Sequence, residues 1–163
     1  MPVIEIVKDP SSLTLTLTAE LPATVERAWQ LLADPRQLER WWGPPTYPAT
    51  VVEHDLTPGA GVRYYMTGPE GDRHHGWWQI LSADPPRSLE VKDGFGDADG
   101  APNPDMPSVI IRFTLEEAGR GTLMTTVTMF PSPEAMAQLV AMGMEDGIRA
   151  AVGQIDDLLG VPA

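Results

Sequence analysis

Histidine is rare and cysteine is absent in this chain, and the spacing of the histidines does not match a known metal or catalytic site. Histidine occurs three times, at His54, His74 and His75. No HxxxH or HExxH spacing is present, so the sequence predicts no histidine-based metal site. His74 and His75 stand next to Asp72 and Arg73 at a predicted turn, which indicates a solvated hairpin.

Acidic residues are concentrated in a Gly- and Pro-rich stretch over residues 92–107 that lacks periodicity and is predicted to be a long loop. Its acids are Asp93, Asp97, Asp99 and Asp105. The Asp97-Ala-Asp99-Gly100 fragment lacks the first ligand and the closing Glu of a calcium loop. No serine lies in a G-x-S-x-G elbow, and no Gly-rich phosphate loop is present. We therefore assign no catalytic residue, no metal and no cofactor.

His54 is the histidine that could contribute to a site. In a strand predicted over Thr50–Leu56 it shares one face with Val52 and Leu56, so we expect it to point inward. Two interpretations remain open at this point: a core residue whose hydrogen bonds are satisfied, or a polar contact for a ligand.

Composition and charge limit the classes of function. With 163 residues and 42% hydrophobic content, the sequence predicts one domain over residues 1–163. A net charge of −12 disfavours binding to nucleic acid and to anionic membranes. The absence of cysteine, of a signal peptide and of a 20-residue apolar run predicts a cytoplasmic protein without a membrane span. Whether it forms a homodimer is left open.

The clearest periodicity belongs to Ser132–Leu159, where apolar residues recur at three- and four-residue steps and predict one long amphipathic helix. Ser132 is the expected N-cap, and Gly160 marks the end. Glycines at three internal positions (Gly143, Gly147 and Gly153) weaken such a helix. They favour either close packing against a sheet or a wall left thin for a small apolar ligand.

The preceding chain alternates apolar and polar residues in short runs separated by turns. It predicts a first strand within Ser11–Glu20, two short helices around Trp29 and Trp41, and then six more strands. Short connections between successive strands favour an antiparallel meander. A curved seven-stranded antiparallel sheet around a long C-terminal helix, with two short helices after strand 1, is an α+β fold.

Several motifs, in this order, resemble the START-like (SRPBCC) superfamily and within it the branch named after the activator of the heat-shock chaperone ATPase, the Aha-like proteins. They are Val25-Glu-Arg-Ala-Trp29, Asp34-Pro35, Arg40-Trp-Trp-Gly-Pro44, Asp55-x-x-Pro58-Gly59, Met66-x-Gly68-Pro69-x-Gly71, Pro85-Pro86-x-x-Leu89, Gly121-Thr122, Phe130-Pro-Ser-x-Glu-Ala-Met136 and Met142-Gly-Met-Glu-Asp-Gly147.

The resemblance implies a helix-grip fold that encloses a hydrophobic cavity, and hence a small hydrophobic ligand as the partner. The residues expected to line this cavity are Trp41, Trp42, His54, Tyr64, Met66, Trp78, Phe113, Met124, Thr126, Met136, Val140, Met144 and Ile148. Of the paired tryptophans in the strand over residues 75–82, we expect Trp78, together with Ile80, to face inward. Two alternatives are a cyclase- or hydrolase-like enzyme and a co-chaperone-type interaction domain. The chaperone activators need a separate N-terminal domain for their effect, so we do not expect their activity here.

Overall fold

An eight-stranded antiparallel sheet runs through residues 3–160, the part of the chain that the computed structural model describes. Its strands are β1 Val3–Asp9, β2 Thr14–Leu21, β3 Ala49–His54, β4 Gly61–Thr67, β5 Arg73–Asp84, β6 Ser88–Phe95, β7 Val109–Ala118 and β8 Gly121–Met129. Five helices accompany them in the same part: α1 Val25–Ala33, α2 Pro35–Trp42, α3 Pro133–Ala141, α4 Met144–Val152 and α5 Ile155–Leu158. The order across the sheet is β1-β2-β8-β7-β6-β5-β4-β3.

Alternation along the strands decides which face of the sheet forms the core. On β2, Leu15, Leu17 and Ala19 are buried, while the threonines between them are less so. On β5, Trp78 and Ile80 are buried, which confirms the inward face predicted for that strand. Burial of this one face, against the helices, sets the register of every strand, because a one-residue slip would expose it.

The two short helices begin at side-chain caps that the sequence contains. Thr24 accepts a hydrogen bond from the backbone N–H of Arg27 at the start of α1, and Asp34 accepts one from Arg36 at the start of α2. Pro35 occupies the first turn of α2, where its missing N–H costs nothing. The helices are joined directly, which carries Trp41 and Trp42 at the end of α2 over the sheet.

The helix-grip fold predicted from the sequence is confirmed, with two corrections. The first is an additional edge strand. Residues Val3–Asp9 form β1, antiparallel to β2 with Lys8 opposite Leu15, so the sheet has eight strands rather than seven. Ile4 and Ile6 of β1 pack against the core, whereas Val7 is exposed. An edge strand with only two such side chains gives a weak periodic signal.

The second correction concerns the C-terminal helix, which is three helices rather than one. Gly143 has a φ of +88°, in the left-handed region, and separates α3 from α4. A turn at Gly153 and Gln154 then separates α4 from α5. Left-handed backbone ends a helix, and glycine adopts it without the steric cost that a Cβ brings. The apolar stripe is continuous in sequence, but the chain bends over the sheet.

Side-chain hydrogen bonds fix the bent C-terminal segment to the two short helices. The side-chain amide of Gln154 donates to the Gly43 carbonyl at 2.7 Å. The guanidinium of Arg27 donates to the Leu158 carbonyl at 2.9 Å. Helices α3 and α4 lie across a cavity from β4, β6, β7 and β8. No helix in residues 3–160 is long and apolar enough to cross a membrane.

Candidate functional site: an apolar cavity with a buried carboxyl

A cavity of about 340 Å³ lies between the sheet and helices α2, α3 and α4. Its wall is formed by Trp41, Trp42, Pro44, Tyr64, Met66, Asp93, Phe95, Pro107, Val109, Ile111, Phe113, Thr126, Thr128, Leu139, Met142, Gly143, Met144, Gly147, Ile148, Ala151 and Val152. Most of these side chains are apolar. The cavity reaches the surface at the bend between α3 and α4, where Met142 is 58% exposed.

Aromatic rings form one end of the cavity. Trp42 packs edge-on against Trp78, with ring centroids 4.9 Å apart, and against Tyr64 at 6.1 Å. Its contacts with Trp41 and Phe113 are also edge-on. Such contacts add stability beyond the burial of apolar area and hold each ring in one orientation. The aromatic end is therefore a rigid surface.

An acid, Asp93, lies at this aromatic end. On β6 the inward-facing positions are Leu89, Val91, Asp93 and Phe95, so a carboxyl occupies a position where the alternation calls for an apolar side chain. The Tyr64 hydroxyl donates a hydrogen bond to Oδ1 of Asp93 at 2.9 Å. Tyr64 itself is only 7% exposed. The pair is thus a polar feature built into an apolar wall.

A glycine on the intervening strand makes the Tyr64–Asp93 contact feasible. Tyr64 belongs to β4 and Asp93 to β6, and β5 runs between them with Gly76 opposite Tyr64. A Cβ at Gly76 would collide with the ring and hydroxyl of Tyr64. Because Gly76 has no side chain, the tyrosine ring crosses over β5 and reaches the carboxyl.

Burial changes the acidity of both groups. Removal of the carboxylate from water raises the pKa of Asp93 from 3.8 to about 7, and the hydrogen bond from Tyr64 and the nearby Trp78 indole oppose part of this rise. Burial and the nearby Asp93 charge raise the pKa of Tyr64 well above 10. Tyr64 is therefore a neutral donor at any physiological pH, while Asp93 titrates near neutrality.

Comparison with known proteins identifies the family to which the chain belongs. Residues 22–160 match the family model of the Activator of Hsp90 ATPase homolog 1-like proteins. The chain belongs to this family. A crystal structure of the protein Ms6760 from Mycobacterium smegmatis is 47% identical, with a TM-score of 0.89 over 98% of this chain and 97% of the other.

Two further structures extend the comparison. A solution structure of a protein from Arthrobacter aurescens is 45% identical, with a TM-score of 0.93 over 98% of this chain and 92% of that one. A family member from Silicibacter pomeroyi is 21% identical with a TM-score of 0.70 over 90% and 97%, which shows a shared fold only. The comparison with curated proteins gave no match.

Within this member of the family, eight of the side chains expected at the cavity do line it. They are Trp41, Trp42, Tyr64, Met66, Phe113, Thr126, Met144 and Ile148. Five others do not. Trp78 is 2% exposed and lies behind Trp42. Met124 and Met136 are buried in the core. Val140 packs against the core, while its neighbour Leu139 faces the cavity.

His54 also lies outside the cavity wall, for a reason that periodicity cannot reveal. The register of β3 against β4 shifts between Val51 and Glu53, which marks a β-bulge. Val51 is buried and Val52 is 60% exposed, the opposite of the faces predicted for them. After the bulge, His54 lies opposite the buried Val62, on the core face but beside α1 rather than at the cavity. Nε2 of His54 lies 2.9 Å from the Leu32 carbonyl, so its N–H donates to the end of α1. That contact is structural.

Sequence reasoning missed Asp93 because β6 was expected to end before it. The strand continues to Phe95, and the alternation Leu89-x-Val91-x-Asp93-x-Phe95 was the available signal. The other acids of that segment, Asp97, Asp99 and Asp105, are exposed. Within residues 3–160, no cluster of three or more metal-ligating side chains is present.

Proposed function

We propose that the protein binds a small, mostly apolar molecule in this cavity. The observation that carries the proposal is the cavity itself: about 340 Å³ with apolar walls, a surface opening at Met142 and a rigid aromatic end. Ligand sites in proteins are typically of this size, mainly hydrophobic, and furnished with a few oriented polar groups. The described residues that line the cavity are the proposed ligand contacts.

Gly147 supports this proposal. It lies inside α4 and lines the cavity, and a Cβ built on it would meet no atom within 4 Å. A glycine there costs about 1 kcal/mol of helix stability relative to alanine. Close packing of the helix against the sheet backbone does not explain the glycine, because nothing approaches it. Space for a bound molecule does.

The test is a titration with N-phenyl-1-naphthylamine, a neutral apolar probe, followed through the emission of the tryptophans and of the probe. We expect saturable binding to the wild type and at least a tenfold loss of affinity in Gly147→Leu, whose side chain fills the cavity. Gly147→Ala is the matched control: it gains the same helix propensity but fills little space, so we expect a loss of less than threefold.

Thermal unfolding of the same variants separates filling from disruption. We expect Gly147→Leu to be as stable as the wild type or more so, because the side chain enters open space. If overpacking instead costs about 1–3 kcal/mol, and the wild type shows no response to the probe, the proposal is wrong. The cytoplasmic location, the single domain and the lack of nucleic-acid binding stay predictions.

A further inference from the structure

The polar groups of the cavity are concentrated at its aromatic end, and their hydrogen-bonding capacity indicates which chemical group a ligand would place there. Among the described residues that line it, Asp93 is the only acid, and its one hydrogen bond with the geometry of a full bond comes from Tyr64 to Oδ1. A carboxylate has room for about four acceptor contacts. The carboxyl therefore has acceptor capacity that its protein neighbours leave unused.

Two hydrogen-bond donors at the same end are also unused. The indole N–H groups of Trp42 and Trp78 are buried and have no hydrogen-bond partner among the described residues. They nevertheless lie close to the pair: the Trp42 indole lowers the pKa of Tyr64, and the Trp78 indole lowers that of Asp93. Each N–H is thus near an acceptor without reaching bonding geometry. A buried donor left unpaired costs about 1–3 kcal/mol.

We propose that the molecule bound in the cavity carries a hydroxyl group, as a phenol or an alcohol, at the aromatic end. The hydroxyl donates its proton to Asp93, and its oxygen accepts from the indole N–H of Trp42. This inference rests on the proposed binding function and adds the chemical class of the ligand. Trp78 does not line the cavity, so its N–H takes no part in this contact.

The alternatives fit this end less well. A hydrocarbon would leave both the acceptor capacity of Asp93 and the Trp42 donor unused. A carboxylate ligand would be repelled by the ionised Asp93 and by the net charge of −12 on the protein. An ammonium group would satisfy Asp93, but it has no lone pair for an indole N–H. A hydroxyl has one donor and two acceptor sites, which matches what this end presents.

The experiment compares four naphthalene derivatives of similar size by isothermal titration calorimetry at pH 8: 2-naphthol, 2-methylnaphthalene, 2-methoxynaphthalene and 2-naphthylmethylamine. We expect 2-naphthol to bind ten- to a hundredfold more tightly than 2-methylnaphthalene, the difference that a charge-assisted hydrogen bond produces. The hydrophobic effect alone predicts the reverse order, because the methyl compound is the more apolar of the two. 2-Methoxynaphthalene can accept but not donate, so we expect it to bind no better than 2-methylnaphthalene.

Variants assign the preference to the residue. In Asp93→Leu we expect the two probes to bind within about twofold of each other. In Asp93→Asn, which keeps an acceptor and the approximate shape, we expect a reduced preference for 2-naphthol. Asp105→Asn is the matched control, since it removes one charge at an exposed site and should leave the preference unchanged. If Asp93→Leu does not fold, Asp93→Asn and 2-methoxynaphthalene still test whether Asp93 accepts the proton of the ligand hydroxyl.

Each result has one meaning. Binding of 2-methylnaphthalene or 2-methoxynaphthalene as tightly as 2-naphthol overturns the hydroxyl assignment but leaves the apolar cavity as a binding site. Tighter binding of 2-naphthylmethylamine than of 2-naphthol also overturns it. A 2-naphthol preference that survives in Asp93→Leu shows that the carboxyl is not the acceptor. No binding of any of the four probes contradicts the proposed function as well.

Discussion

Asp93→Asn should make the protein more stable at alkaline pH, although it removes a charged group that is hydrogen-bonded. The carboxyl has a pKa of about 7 in the folded protein and an ordinary value of 3.8. A group whose pKa is raised by folding holds its proton more tightly in the folded state. The free energy of unfolding therefore decreases as pH rises from about 4 to 7 and is level above that.

The magnitude follows from the two pKa values. They differ by about three, and each pKa unit corresponds to about 1.4 kcal/mol, so the ionised carboxyl costs about 4 kcal/mol at pH 8. At pH 5.5 the unfolded chain is already ionised and the folded one is not, which gives about 2 kcal/mol. The residues that influence this pKa are Tyr64 and Trp78, and neither ionises in this range. Asparagine has the same shape, accepts from Tyr64 and carries no charge.

The assay is urea unfolding of both proteins at pH 5.5 and pH 8, followed by tryptophan emission. We expect the advantage of Asp93→Asn over the wild type to grow by about 2 kcal/mol between the two pH values. Other titrating groups are common to both proteins and cancel in the difference. Asp105→Asn provides the control, with no pH-dependent advantage. If the difference between Asp93→Asn and wild type changes by less than about 0.5 kcal/mol, Asp93 ionises normally and our account of the cavity is wrong.

Three further predictions test how the site is positioned. Gly76→Ala should displace the Tyr64 ring and break its bond to the carboxyl, lowering the unfolding midpoint in urea; an unchanged midpoint and an unchanged crystal position of the ring would contradict this. Gly143→Ala should cost about 1–2 kcal/mol, because the residue has a positive φ; equal stability in urea would mean that the α3–α4 bend is not required. His54→Ala should lower stability by about 1 kcal/mol through loss of the bond to the Leu32 carbonyl. It should leave probe affinity intact, and a loss of binding would show that the histidine belongs to the site.

The bent C-terminal helix shows what periodicity in a sequence cannot predict. The stripe in residues 132–159 was strong enough to predict helix over nearly its whole length, because periodicity at 3.6 residues survives a bend. It could not show that Gly143 adopts a left-handed conformation, since glycine within a helix and glycine between two helices look alike in sequence. Packing over the curved sheet decided between them.

The sequence by itself determined the type and order of the elements, apart from one edge strand and the division of the C-terminal helix into three, and the family to which they belong. Alternation and capping residues are local, so they act before the chain is folded. The composition of the cavity was only partly accessible this way. Tyr64 and Asp93 are 29 residues apart in the chain and meet only because β4 and β6 flank β5. The β-bulge between Val51 and Glu53, which places His54 opposite Val62 and beside α1, likewise depends on tertiary structure, as does the path of the Tyr64 ring over Gly76. They depend on which backbone lies opposite, and no local pattern encodes that.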